Sequence, residues 1–540
     1  MRRWNGWGDD SISAAVPEEA KAFLSETVGP GAPGRSATLE EVCTRLDREH
    51  PSRLARRSDL HPLISTSAED RIRSGVGQSL GDWIGLRFGD VGRITDGIAR
   101  PESSAQVREL LAWAAERDVV LIPCGGATSV AGHLMPPAGE RPCLMLDMRR
   151  MNALLELDEV SQLARFEAGV IGPDIEAALR PRGYVLGHFP QSFEYASLGG
   201  WIASRSSGQQ SLRYGRIEQL YAGGTVETPR GTLDIPPFPA SAAGPDLREF
   251  VLGSEGRVGV ITEAIVRVSR LPEVERFVAV FLPDWESGVA ATRSLVQLRT
   301  PLSMLRLSNA VETMTMLRLA GHARQVEWLE RYLAWRGAGP GKTMMMLGLT
   351  GTRAQVDAAW HQASVVARSY GGVSTGERLG RKWAENRFAS VYLRNALWEL
   401  GWAVDTMETA VPWHATTATV QALESAGRDA LAKFGEKCHA YTHLSHVYSS
   451  GSSAYTTFVF RVGPDRAASF ERWSSLKRAV SEAIVASGGT ITHQHGVGRD
   501  HAPFLPAEKG AVGMAAIDAN FAHFDPQGVL ASDNVTGPPA

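Results

Sequence analysis

Residues 490–501 read TITHQHGVGRDH, placing His493, His495 and His501 beside Gln494 and two glycines near the end of a 540-residue chain. Imidazoles at this density can bind a metal, move a proton or pack as neutral rings in a core. In an extended segment, His493 and His495 share one face and Gln494 points the other way. Two histidines spaced by two, without an adjacent acid or cysteine, make a poor metal site, so no metal is expected. Proton handling is favoured over a capping role against core strands, and it needs a partner element. The stretch PCGGATSVAGHL, Pro123 to Leu134, follows a short apolar run far upstream. Glycines let backbone approach a ligand closely, and successive free N–H groups hold phosphate oxygens. Thr128 and Ser129 add hydroxyls. The loop lacks the G-K-[ST] of a P-loop and the G-x-G-x-x-G of the dinucleotide fold, so alone it also reads as a tight turn.

The surrounding elements must bring these two stretches together. SSAQVRELLAWAAERD carries a capping serine and an apolar face of Val107, Leu110, Leu111 and Ala114, predicting a helix that feeds the strand VVLIPC and then the glycine loop. QLARFEAGVIG and EGRVGVITEAIVRVSRLPE predict further strands, GPDIEAALRPRG a short helix, and YGRIEQLYAGGTVETPRGTL a helix-to-strand passage with a hairpin. Beyond Pro272, longer helical patterns alternate with apolar strands such as KTMMMLGLTG, whose methionines read as strand core, and AYTTFVFRVG. A helix over 470–487, with Phe470, Trp473, Leu476, Val480 and Ile484 on one side, runs into the histidine stretch.

Composition bounds the function classes. Hydrophobic residues make up 43% and charged residues 21%, ordinary for a globular chain, and the formal charge of −3 provides no strong field for nucleic acid. Cys43, Cys124, Cys143 and Cys438 are scattered, without C-x-x-C spacing. No apolar run suits a membrane span or a secretory signal, and the closing Gly-Pro-Pro-Ala is not a peroxisomal tripeptide, so a cytoplasmic location is expected.

RWNGWG near the start, the glycine loop, FPQSFEYASLGGW, GSEGRVGVITEA, YLRNALWELGWAVDTMETAVPW and THQHGVG occur in this order from end to end. The glycine loop and GSEG resemble the flavin domain of the vanillyl-alcohol oxidase superfamily, the PCMH-type FAD-binding fold. The whole set resembles the alkyldihydroxyacetonephosphate synthase family. That resemblance implies an α+β chain: a helical N-terminal region over 1–89, a two-subdomain PCMH-type FAD-binding domain over 90–272, an α/β cap domain over 273–489, and a segment over 490–540 that returns to the active site.

The resemblance further implies noncovalent FAD. Pro123, Gly125, Gly126, Ala127, Thr128, Ser129 and Val130 would hold the pyrophosphate. Gln191, Ser192, Ala196, Ser197, Gly199, Gly200 and Ser204 would run beside the flavin, and Glu255, Gly256, Val258, Gly259, Val260 and Ile261 would line the adenosine side. His188, just before the flavin segment, is expected to pack rather than link. The family's reaction replaces the acyl chain of acyl-dihydroxyacetone phosphate with a fatty alcohol to form an ether, the flavin N5 holding the dihydroxyacetone phosphate unit between the two events. A proton beside a ketone must be removed. Tyr455 matches the family's catalytic tyrosine, which needs neighbours that favour its anion because a free phenol titrates near about 10. His493 and His495 could tune it. Arg394 matches a substrate-binding arginine, expected beside an apolar helix face of Leu393, Leu397 and Leu400, and Arg306 an arginine on which activity depends. The chain departs from the family at Gln494, where three consecutive histidines are usual, and at LASDN, where the superfamily often has Asn-Pro-Gly. The implied partners are a lipid-like phosphosubstrate and a fatty alcohol; peripheral membrane contact and a homodimer stay open. An FAD-linked dehydrogenase or oxidase of a hydroxy acid is the alternative, and a flavoprotein whose cap only binds a lipid or partner is a third.

Overall fold

The computed structural model describes residues 2–319 and 323–537; the last three residues of the closing Gly-Pro-Pro-Ala lie outside them. A helical run opens the chain, Glu18–Val28, Leu39–Glu49, Ala68–Ser74 and Leu80–Phe88. Thr38 and Ser79 begin two of these helices with capping boxes, satisfying donors that a helix start otherwise leaves unpaired. The N-terminal segment does not float: Asn395 accepts from the Trp7 N–H at 3.0 Å and donates to the Trp7 carbonyl at 2.8 Å. Thus RWNGWG and YLRNALWELG, far apart in sequence, grip one another.

Two sheets carry the first half. A four-stranded sheet contains Val120–Cys124 parallel to Cys143–Asp147, which is parallel in turn to Gly97–Ala99, with Ile64–Ser65 at the edge. The predicted helix forms over Ser104–Glu116 with Ser103 as its cap, burying Val107, Leu110, Leu111 and Ala114. An antiparallel five-stranded sheet orders Leu154–Asp158, Leu163–Glu167, Val260–Arg267, Tyr221–Thr228 and Gly231–Ile235. The glycine loop leaves the first sheet and lies against the segment that precedes helix Leu198–Ser204.

The second half is a seven-stranded antiparallel sheet, in the order Val373–Ser374, Val274–Leu282, Thr343–Gly351, Met304–Ser308, His439–Val447, Gly451–Arg461, Trp402–Pro412. Strand periodicity divides it into two faces. Met345, Leu347 and Leu349 join Val278, Val280, Leu305, Leu307, Leu444 and Ala454 in one core with helices Trp285–Gln297 and Arg353–Ser369. Met344 and Met346 pack on the other side with Phe277, Phe281 and Met304, so the methionine run is strand core on both faces. The helix before the histidine stretch spans Arg466–Ala486 and buries Trp473, Leu476, Val480 and Ile484, but Phe470 is 43% exposed and lies off that face. Among the described residues, no helix is long and apolar enough to cross a membrane.

Candidate functional site

A cleft with about 1150 Å³ of empty space, its open mouth included, runs between the two smaller sheets and reaches the histidine stretch. Its walls include Pro123, the loop Gly125 to Val130, Ser192, Ala196, Ser197, Gly199, Gly200 and Ser204, together with Glu255, Gly256, Gly259, Val260 and Ile261. Among the described residues, the N–H groups of Gly125, Gly126, Thr128, Ser129 and Val130 donate to no protein group, which leaves a row of donors for phosphate oxygens. A methyl group on Gly126 would sit 1.8 Å from the Tyr195 carbonyl oxygen, so glycine is imposed by the close approach of the second loop. The donor row, the wall of small residues and the elongated cleft fit a dinucleotide such as FAD.

Two predicted cofactor residues stand elsewhere. Gln191 donates to the Arg387 carbonyl at 2.8 Å and to Ser390 at 3.2 Å, tying the flavin domain to the cap instead of lining the cleft. Val258 is fully buried in the core that contains Trp83 and Trp473, because its side chain leaves the loop on the face opposite Gly259. Glu255 lines the cleft, but its carboxylate accepts from the Val497 and Gly498 N–H groups and lies 3.1 Å from His133 Nε2; burial opposes the charged imidazole, but Glu255 outweighs it and holds His133 more basic than usual. The cleft also recruits His133, Met148, Trp201, Ser254 and Asn534, residues of types too common to single out in a sequence. His188 is buried, edge-on to Trp201 with Nε2 3.2 Å from Ser206, so it packs as expected.

The histidine stretch is not an extended strand. Glu408, from METAVPW, accepts from the Gln494 N–H at 2.6 Å and the His495 N–H at 2.8 Å with one oxygen, which turns the chain. Gly498 continues the turn at φ +53°, and a Cβ there would lie 1.9 Å from the Ala131 carbonyl oxygen. The segment is therefore strapped between a cap carboxylate, Glu408, and a flavin-domain carboxylate, Glu255. As a result Gln494 and His495 line the cleft together, while His493 turns away onto Tyr448 and Arg216, each 2.6 Å from its Nε2. The expectation that His493 and His495 share the active face fails because the backbone is curved. Burial holds both rings well toward the neutral form, with neighbouring His446 and Arg216 adding to the effect at His493.

Tyr455, Glu408 and His443 occupy one row of the seven-stranded sheet, paired directly across neighbouring strands, and so face the same side. The Tyr455 hydroxyl donates to Thr406 at 2.9 Å, His495 meets its ring edge-on at 5.6 Å, and His443 stacks on it at 4.9 Å. Burial raises the Tyr455 pKa, with Glu408 and Asp405 adding to the rise. No adjacent charge overcomes that, because the rings of His443 and His495 are themselves pushed toward neutrality by burial. Among these side chains the phenol is held toward its protonated form, so the histidines named from the sequence do not by themselves favour its anion. Arg306 reaches the same area but is engaged: its Nη2 donates to Glu312 at 2.7 Å and lies 3.1 Å from His443 Nδ1, while its Nε has no partner among the described residues. Arg394 donates to the carbonyls of Val404 and Gln78, rests 4.4 Å over the Trp83 ring, and leaves a buried Nη2 with no partner among the described residues. Its helix, Leu393–Glu399, buries Asn395 and Trp398 most deeply, since Asn395 must reach Trp7, while Leu397 and Leu400 pack partly buried against Leu24, Val28 and Trp402. His443, Glu312, Glu408 and Thr406 were not picked out from the sequence. Alternation in the strands HAYTHLSHV and WAVDTMETAVP is the one signal that could have raised His443 and Glu408.

Residues 95–234 match the family model of an FAD binding domain, and residues 271–535 that of the C-terminal domain of FAD linked oxidases. The chain is 29% identical to an alkyldihydroxyacetonephosphate synthase of Dictyostelium discoideum, over 93% of this chain and 88% of that protein. It is 28% identical to the alkyldihydroxyacetonephosphate synthase of Trypanosoma brucei brucei, over 98% of this chain and 91% of that protein. A solved alkyldihydroxyacetonephosphate synthase structure superimposes with a TM-score of 0.79 at 25% identity, over 98% of both chains.

Proposed function

We infer that this chain, an FAD-dependent enzyme of the alkyldihydroxyacetonephosphate synthase family, exchanges the acyl chain of acyl-dihydroxyacetone phosphate for a fatty alcohol, producing an ether-lipid precursor. The observation that carries this reading is the meeting of two surfaces. The cleft ends at Gln494 and His495, and His495 touches the Tyr455 face of the cap sheet. On that side of the molecule Arg394 keeps a guanidinium nitrogen with no partner among the described residues, part of a planar and permanently charged group suited to a phosphate.

We assign the glycine loop to the FAD pyrophosphate and Arg394 to the substrate phosphate. Tyr455 supplies a hydroxyl at the reacting carbon or its oxygen, and His495 closes the cleft beside it. Bound FAD supplies the ring chemistry that lets the acyl group leave and the alcohol enter with no net oxidation. Arg306, fixed by Glu312, adds a positive field that favours developing negative charge. The four residues act on an enclosed site, where such charges are worth more than in water.

Both substrates carry long chains, so a membrane edge is their natural source. We assign that contact to helix Ala323–Trp335, where Trp328 and Trp335 are 71% and 80% exposed and Arg331 and Arg336 flank the aromatic face. Tryptophan and arginine together suit the level of lipid headgroups.

Flavin-loaded protein incubated with palmitoyl-dihydroxyacetone phosphate and hexadecanol should release palmitate and form the alkyl ether, read by mass spectrometry. Absence of the ether while a hydroxy acid reduces the flavin would replace this reading with an FAD-linked dehydrogenase. The flavin should leave the chain on acid precipitation, since His188 is held away in the core.

A further inference from the structure

We propose that His133 carries the charge that lets an anionic cofactor share a wall with the Glu255 carboxylate, so that the protein takes up a proton on binding FAD and holds FAD less tightly as pH rises. This rests on assigning the glycine loop to the FAD diphosphate. Glu255 is fixed in the cleft wall by a structural duty: its two oxygens accept from the Val497 and Gly498 N–H groups and hold the turn that carries Gln494 and His495. That duty leaves a carboxylate facing a cavity that must receive a diphosphate. Among the described residues, the walls of the cleft contain no lysine or arginine. Arg2 stands behind the glycine loop, where its Nη2 donates to the Ala127 carbonyl at 2.9 Å. The side chain placed to offset Glu255 from within the wall is His133.

Contacts from several segments place the ring. Its Nδ1 meets the Ser129 hydroxyl of the glycine loop. Its Nε2 lies 3.1 Å from Glu255 Oε1, within reach of an ion pair, yet among the described residues no acceptor is aligned with that nitrogen as a hydrogen-bond partner. A methyl group on Gly496 would lie 2.7 Å from His133 Nε2 and 2.8 Å from Glu255 Oε1, so the histidine turn packs directly on the pair. The His133 carbonyl accepts from Asn534 Nδ2 at 3.0 Å. With the pair intact this part of the wall is neutral. Loss of the His133 proton uncovers the carboxylate, and in an enclosed site its repulsion of a diphosphate is stronger than in water.

The titratable groups that face His133 come from every side: Glu255, Asp82 on helix Leu80–Phe88, His495 in the turn, and Asp500 and His501 beyond it, with Lys477 of helix Arg466–Ala486 beside Asp500 and His495. Burial works against the charged ring, but Glu255, Asp500 and Asp82 outweigh it and raise His133 above its ordinary value. Burial pushes His495 and His501 the other way, so neither supplies the charge. A diphosphate in the cleft favours the protonated ring, and by linkage the protonated ring favours the diphosphate to the same extent. FAD affinity is therefore full while His133 holds its proton and falls as pH climbs through its raised value.

The test is calorimetric titration of the flavin-free full chain with FAD from about pH 6 to about pH 9, spanning the imidazole range, in buffers of different ionisation heat. Wild type should take up as much as about one proton per FAD, and its Kd should rise about ten- to a hundredfold across that range. His133→Gln, whose amide can still reach Ser129, should bind FAD with the weak alkaline affinity throughout and take up no proton above the acid end. Any limb from Asp82, pushed up to about 6 by burial and Asp500, stays at that acid end and persists in this variant. The double variant His133→Gln, Glu255→Gln should recover most of the lost affinity, because it restores a neutral wall without a histidine. A wild-type Kd that ignores pH with no proton uptake, a His133→Gln variant as tight as wild type, or a double variant no tighter than His133→Gln overturns the proposal. If His133→Gln does not fold, wild-type proton uptake decides. ADP, which carries the diphosphate without the flavin ring, should compete with FAD and show the same pH dependence. ADP that does not bind removes the loop assignment and the proposal with it, whereas ADP bound equally well at every pH overturns the role of His133 alone.

Discussion

The flavin cleft and the reactive face of the cap sheet are built in opposite ways. The cleft is made by backbone. Its walls come from a few contiguous stretches, 123–134, 192–204 and 254–261, and small residues dominate because two loops nearly touch. The reactive face is made by side chains on separate strands. Arg306, Thr406, Glu408, His443 and Tyr455 come from four strands of the cap and depend on register to meet, and Glu312 joins them from the helix Ala310–Leu319. The first kind of site tolerates changes of side chain but not of space. The second tolerates little change of chemistry, while its backbone is ordinary strand. His495 belongs to both, which is why the segment around it is pinned by one carboxylate from each side.

Four substitutions sharpen that contrast, in order of expected effect. Tyr455→Phe removes only a hydroxyl, so the flavin should stay bound while turnover drops by about 100- to 1000-fold, the range for losing a donor to a developing oxyanion. Steady-state rates with the flavin absorbance recorded alongside are the check, and a near-normal rate would make Tyr455 a core residue. Arg394→Lys keeps the charge but not the planar fork. Efficiency on a phosphate-bearing substrate should fall about ten- to a hundredfold, with an unchanged flavin spectrum, corresponding to a charged hydrogen bond of roughly 1.5–3 kcal/mol. An unaltered kcat/KM would end the phosphate assignment.

Gly126→Ala probes the cleft by volume. The added carbon meets the Tyr195 carbonyl, so the second loop must move, at a cost of about 1–3 kcal/mol and with lower flavin occupancy. Thermal unfolding and the flavin-to-protein absorbance ratio report both, and full occupancy with unchanged stability would show that the loops are not tightly apposed. Gln191→Ala should do least. Its amide ties the cap loop at Arg387 and Ser390, so flavin affinity should change by no more than about twofold. A large loss of flavin would place Gln191 back beside the cofactor.

Much of this site could be read from the chain, and the rest could not, for identifiable reasons. The glycine loop, the strand before it and the helix over Ser104–Glu116 are local features, each set by its own residues, and they form where the patterns point. Tyr455 and Arg394 were reached through motifs; the Tyr455 ring meets His495 at the end of the cleft, and Arg394 is held by the Val404 and Gln78 carbonyls over Trp83. The error at His493 came from assuming an extended backbone, which the chain alone gave no reason to doubt. The curvature comes from Glu408, a carboxylate more than eighty residues away in sequence, accepting two successive N–H groups.

Local residue pattern sets which segments are strand or helix and where the backbone must stay small. It also sets the type of ligand that the free N–H row accepts, because these follow from local geometry and composition. Which titratable groups meet depends on packing between distant segments. Burial raises Tyr455 and lowers His443, and Glu312 and Arg306 both meet the His443 Nδ1 from outside its strand. Proton affinity is a property of surroundings, and in a sheet those surroundings are supplied by neighbouring strands whose register no single strand encodes.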